Sequence, residues 1–243
     1  DLILPKEPSS AEQPNQLFDR SQVLDQLRPP AHAPEFSRVF AARTCMMAGV
    51  GLTGVFLWHL VRFWVYGKAV VLTSAPLTIP AGFLIAGMAV ATLIGAALAS
   101  WAAGPISERI EEKNIPVARV VAGACLLYAI GLGLAWGLGV WSTGTARENG
   151  MLLFALISGF AFGIYDSLGL ELVMDSLPDP RRAGHDLGIY ALANSAGLAL
   201  AAIIGALLVN AFEHSFGYYL LFPSAIVMVL LAGIVTLTTK SAE

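Results

Sequence analysis

Asp166 sits close to the middle of the long apolar run 150–174. In a hydrocarbon layer an ionised side chain at that depth costs about 2.5 to 3.5 kcal/mol on insertion scales, so it must face a water-filled cavity, find a partner or carry a proton. Gly159, Gly163 and Gly169 recur with it at steps of three and four, which puts all four on one helical face. Small residues along a face are the pattern of close helix packing, so Asp166 reads either as an acid tucked into a helix contact or as an acceptor for a proton or a hydroxyl. Glu171, nearer the end of the run, reads as solvated.

Two further groups share this ambiguity. Tyr190, Asn194, Gly197, Ala201 and Gly205 follow one another at helical spacing along a second apolar run. An amide there either bonds a neighbouring helix or offers a donor to a hydroxyl, and the first is the plainer reading. His59 lies within one turn of Trp58 and Arg62, next to Phe63, Trp64 and Tyr66. Tryptophan and tyrosine gather at membrane interfaces and arginine snorkels to them, yet a histidine titrates in the range where protons are exchanged.

No arrangement of residues points to covalent catalysis. The serines have no His and Asp partners in a recognised order, and no glycine-rich phosphate loop precedes a helix. His185 and Asp186 read as a pair at a helix start. The two cysteines, Cys45 and Cys125, lie in apolar stretches without ligand spacing, so neither a disulfide nor a metal site is expected, and no cofactor. An enzyme is not expected. A net charge of −3 with dispersed basic residues leaves nucleic acid out as a partner.

The elements that position these residues follow from composition. The chain is 56% hydrophobic and 13% charged, where soluble domains are about a quarter charged, and its 24 glycines suit helices packed in lipid. A bilayer core about 30 Å thick needs about 20 apolar residues per helix. Six such runs are predicted, at 41–65, 79–103, 117–141, 150–174, 187–212 and 216–237, separated by short polar links that carry Pro76, Pro80, Pro105, Pro116 and the stretches STGTARENG and DSLPDPRRAGHD. Eleven lysines and arginines (Lys6, Arg20, Arg28, Arg38, Arg43, Arg109, Lys113, Arg119, Arg181, Arg182 and Lys240) fall on one side of this topology. Arg62, Lys68 and Arg147 fall on the other. The excess marks the cytoplasmic side and places both chain ends there. Residues 1–37 form a proline-rich linker, 38–238 the bundle and 239–243 a tail.

The link GPISERIEEK, residues 104–113, carries the most specific local pattern. Gly104, a small residue at 107, the acid Glu108, Arg109 and Lys113 follow the second predicted helix. The stretch resembles the hallmark loop after the second helix of each half in the major facilitator superfamily, with Glu in place of the usual Asp, and Glu111 and Glu112 in place of a basic pair. FSRVFAARTCMMAGVGLTGVFLWHLVRFWV is similar to the seventh helix of such carriers, and LVMDSLPDPRRAGHDLGIYALANSAG to their tenth-to-eleventh junction. The nearest likeness is to the sugar-porter branch that includes glycoside-cation symporters. Relatives there often place an acid at the position of Gly169, which here is flanked by Asp166 and Glu171.

The resemblance implies an all-α integral membrane protein, six transmembrane helices arranged as two three-helix inverted repeats, forming the C-terminal half of a twelve-helix secondary transporter. It implies movement of a small polar solute, a sugar among the options, by alternating access in the plasma membrane, with proton or sodium coupling. The implied partners are the bilayer, the solute and an N-terminal six-helix half that residues 1–37 would join to the bundle. Asp166, Asn194, Tyr190 and His59 are the candidates for solute or proton binding. Gly104, Glu108 and Arg109 are the candidates for a conformational latch, since an acid and an arginine at a helix end can pair in one conformation and part in another. A six-helix sensor or assembly module that keeps the fold without transporting is the alternative.

Overall fold

The computed structural model describes residues 34–66, 79–141, 145–177, 183–211 and 214–239. The expected linker over most of 1–37, the tail beyond 239, and Arg181 and Arg182 lie outside the described residues. Every regular element among those described is helical: α1 Pro34–Gly54, α2 Ile79–Glu112, α3 Val117–Trp141, α4 Thr145–Asp175, α5 Ala183–Ala211 and α6 His214–Leu237. Five of them, α2 to α6, are long and apolar enough to cross a membrane. α1 is not counted with them, because Arg38 and Arg43 interrupt its apolar run and it stops at Gly54.

The run 41–65 is therefore not one continuous helix. A turn at Val55 and Phe56 separates α1 from a four-residue helix, Leu57–Leu60, which passes into a π-helical stretch, Val61–Val65. At the turn Thr53 bonds its hydroxyl back to the Val50 carbonyl at 3.1 Å, and the Val55 N–H still reaches the Gly51 carbonyl at 2.8 Å. The far end of this segment is tied to α4. Arg147 donates to the Trp64 carbonyl at 3.0 Å, and burial together with a hydrogen bond to Glu148 pushes the Tyr66 phenol up to about 12.

The link at Pro105 also differs from expectation. α2 runs through Pro105 to Glu112, so Gly104, Glu108 and Arg109 stand on its last turns rather than in a loop. The residues after Pro105 are good helix formers, and the helix stops where its backbone bonds are closed off. Asn114 takes a left-handed φ of 49°, its N–H reaches the Glu111 carbonyl at 3.3 Å and the Ile115 N–H reaches Ile110 at 3.0 Å. That is a Schellman cap, followed by Pro116, which cannot continue a helix.

The helices pack as two groups. α1 lies on α5 and α6, α4 lies on α2 and α3, and α3 against α6 joins the groups. Glycines set the approach. A Cβ at Gly159 would strike the Thr92 carbonyl, one at Gly163 would meet the Ala99 Cβ at 2.6 Å, and Gly95 faces the backbone of α4 in return. Gly49 does the same for α1 against α6, and Gly197 and Gly205 for α5 against Met47 and Phe56. Since lipid is as apolar as the side chains, this contact between backbones, rather than escape from water, holds such helices together. Large apolar side chains fill the remaining space: Phe36, Met46, Leu132, Met151 and Phe222 are fully buried, while Phe83, Leu93, Trp101, Ile203 and Leu207 point outward from α2 and α5.

Candidate functional site

Arg43 is where three helices meet. It lies in the N-terminal half of α1 and is 7% exposed, so it is no loop charge, and without it the lysine and arginine count is ten against three. Its Nη1 pairs with Asp166 Oδ1 of α4 at 2.7 Å, and its Nε donates to Asn194 Oδ1 of α5 at 2.7 Å. The guanidinium also lies 5.6 Å from the ring centres of Phe162, Tyr165 and Tyr190. A permanent charge in a helix bundle needs this much company. The carboxylate neutralises it, the amide takes a second proton, and the three ring faces add cation–π attraction.

The first ionic partner of Asp166 is thus Arg43. Tyr190 and Asn194 belong to the same cluster, joined to Asp166 through the guanidinium. Nothing in the carboxylate's own helix announced this. α4 continues for an extra turn before residue 150, so Asp166 lies roughly a turn and a half past the helix midpoint, level with Arg43 and Asn194. The signal in the sequence is an arginine at the third position of the first apolar run, with only Thr44 between it and the apolar residues that follow.

The partners of the pair are exposed to different degrees. Arg43's side chain is 9% exposed, whereas that of Asp166 is 56% exposed. Asp166 lines a cavity of about 390 Å³ between α1, α2, α3 and α4, with Thr92, Ser100, Ser158 and Ser167 among its walls. A second cavity of about 230 Å³ continues toward Leu57, sharing Val50, Thr92, Tyr128 and Ser158. Thr92, Ser158 and Ser167 give their hydroxyl protons to the carbonyls of Met88, Ala155 and Gly163 at 2.8 to 3.0 Å. Their oxygens are left as acceptors toward the cavity.

The other candidates stand apart. His59 is exposed and stacks on Tyr218 at 5.9 Å, sixteen residues beyond Arg43 and past the turn at Val55 and Phe56. Glu108 and Arg109 are exposed on α2, and among the described residues neither makes an ion pair or hydrogen bond with another side chain. A Cβ on Gly104 would meet nothing within 4 Å. His185 and Asp186 do form a pair at 3.2 Å in the first turn of α5, where an acid suits the helix dipole. No group of His, Cys, Asp and Glu with metal-binding geometry occurs among the described residues.

Five helices long and apolar enough to cross a membrane, packed through glycines around a buried charge, mark a membrane protein with an internal polar site, and comparison with known proteins agrees. The profile of the Major Facilitator Superfamily matches residues 81–243. The chain belongs to that family, whose members move solutes across membranes and are not enzymes, and it is a multi-pass membrane protein. No curated protein and no solved structure matches it.

Proposed function

We propose that the chain carries a small polar solute across the plasma membrane by alternating access, using the Arg43–Asp166–Asn194 cluster and the cavity beside it as the solute site. The observation that carries the reading is the cluster itself: charged and amide groups from α1, α4 and α5 converge on one point in a chain of a solute-moving family. Six spans, with 41–65 as the first, form one half of a twelve-helix carrier. The half exposure of Asp166, and the low burial of α2 and α5, support a second bundle closing the cavity. The packing supports two inverted repeats, since exchanging α1 with α4, α2 with α5 and α3 with α6 turns the main contacts into one another. The likeness to the sugar-porter branch favours hydroxylated solutes, and Asp166 favours the proton over sodium as the coupling ion. Gly104, Glu108 and Arg109 serve as the latch, both chain ends are cytoplasmic, and residues 1–37 link the halves.

Uptake of labelled solutes by vesicles containing the full-length protein, measured across a range of pH, tests this. Asp166→Asn should abolish the pH dependence while exchange of solute between the two sides persists. An unchanged pH profile with lower protein yield would make Asp166 a packing residue.

A further inference from the structure

Resting on that reading of the cluster as the solute site, we infer that the solute is a small hydroxylated monocarboxylate, which takes the place of the Asp166 carboxylate on Arg43 when Asp166 accepts a proton. Arginine stays protonated in proteins, and Arg43 is nearly sealed from water, so its charge needs an anion beside it at every stage of the cycle. Asp166 supplies that anion at rest. A proton on Asp166 removes it, and a second carboxylate restores neutrality. Each proton therefore moves with one negative charge, and the movement is electroneutral.

The surroundings leave this exchange to Asp166 alone. Among the described residues the titratable groups around the pair are Tyr165 on α4, Tyr190 on α5 and, behind Tyr165, Cys125 on α3, while α2 brings the hydroxyls of Thr92 and Ser100 and no charge. Tyrosine and cysteine are neutral at the pH values where an acid of this kind exchanges protons. The exposure difference gives the route: Asp166 is open to the cavity and Arg43 lies behind it, so an incoming carboxylate meets Asp166 first and reaches the guanidinium as Asp166 lets go. One guanidinium vacated by one carboxylate matches a singly charged group better than a phosphate dianion. The cavity selects the rest of the molecule. The hydroxyls of Thr92, Ser158 and Ser167 have already given their protons to the helix backbone, so their oxygens receive hydrogen bonds, as from the hydroxyls of a sugar acid. At about 390 Å³ it falls in the range of small-molecule sites, roughly 300 to 1,000 Å³.

Formate, a bare carboxylate small enough to enter any such site, is the probe. In the purified full-length protein, Asp166→Ala leaves Arg43 without its anion, and formate should raise the thermal unfolding midpoint of this variant by several degrees, with chloride at equal ionic strength as control. The effect should vanish in the Arg43→Gln/Asp166→Ala double variant. In the unmodified protein formate should stabilise at pH 5 and not at pH 8, a readout that stands even if Asp166→Ala does not fold. Absence of formate stabilisation in both the variant and the protein at pH 5 overturns the inference. Among gluconate, sorbitol and N-methylglucamine, matched six-carbon polyols of negative, zero and positive charge, only gluconate should compete with formate. Binding of formate without transport of any solute leaves the anion site standing and removes the transport reading, whereas transport of sorbitol without formate binding does the reverse.

Discussion

At the scale of single residues, the uneven burial of the ion pair decides what its two halves do. Removing Asp166 strands a guanidinium that is 9% exposed, while removing Arg43 strands a carboxylate that is 56% exposed and can be hydrated from the cavity. Leaving a buried charge unpaired costs about 3 to 5 kcal/mol, so Asp166→Asn should approach the lower end of that range, because Asn194 and three aromatic rings remain on Arg43. Arg43→Gln should cost less, of the order of 1 kcal/mol. Reversible unfolding in detergent would rank the two, and a larger loss in Arg43→Gln would contradict the geometry. Asp166 was legible in the sequence because a carboxylate in an apolar run is conspicuous, and Asn194 and Tyr190 because they share a helical face. Arg43 was not, since an arginine near the start of an apolar run looks like one more charge at the membrane surface, and only the fold brings it between α4 and α5.

At the scale of elements, hydropathy located the apolar part of each helix but not its ends. The run 117–141 coincides with α3, yet α4 and α5 each begin a turn earlier than their apolar runs, in polar residues that sit comfortably in a first helical turn. Pro105 looked like a stop and is not one, and the true stop at Asn114 was hidden in an ordinary dipeptide. Continuity through 41–65 fails for a different reason: Val55 and Phe56 are apolar, so a turn there leaves no mark in hydropathy. The glycine stripe of α4 separates by position. Gly159→Ala should destabilise by about 1 to 3 kcal/mol, because α2 must move off the Thr92 carbonyl. Gly169→Ala, which meets nothing within 4 Å, should be neutral or stabilising by up to about 1 kcal/mol of helix propensity. Equal effects in unfolding experiments would show that the α2–α4 contact does not rest on these backbones. On the last turns of α2, far from the cavity, Arg109→Ala in the full-length carrier should slow transport with little change in equilibrium solute binding. A large loss of binding at normal turnover would remove Arg109 from the latch and place it in the site.

At the scale of the whole molecule, charge and chain order predict both ends on the cytoplasmic side. Protease added outside sealed, right-side-out vesicles should spare residues 1–37, and cleavage there would reverse the topology. The class of protein was legible from six apolar runs and one degenerate loop, because membrane helices must satisfy their backbones internally and so declare themselves by length alone. The proposed solute site was not legible, since it depends on how α1, α4 and α5 converge. Ser167, exposed beside Asp166 on the cavity wall, offers the most direct test of alternating access. With Cys45 and Cys125 replaced by alanine, Ser167→Cys in the full-length protein can be labelled by a membrane-impermeant thiol reagent applied to one side at a time. Reactivity from the outside under one set of solute and proton gradients, and from the inside under the opposite set, is the result expected of a solute site that opens to each side in turn. Reactivity confined to one side under every gradient would contradict it.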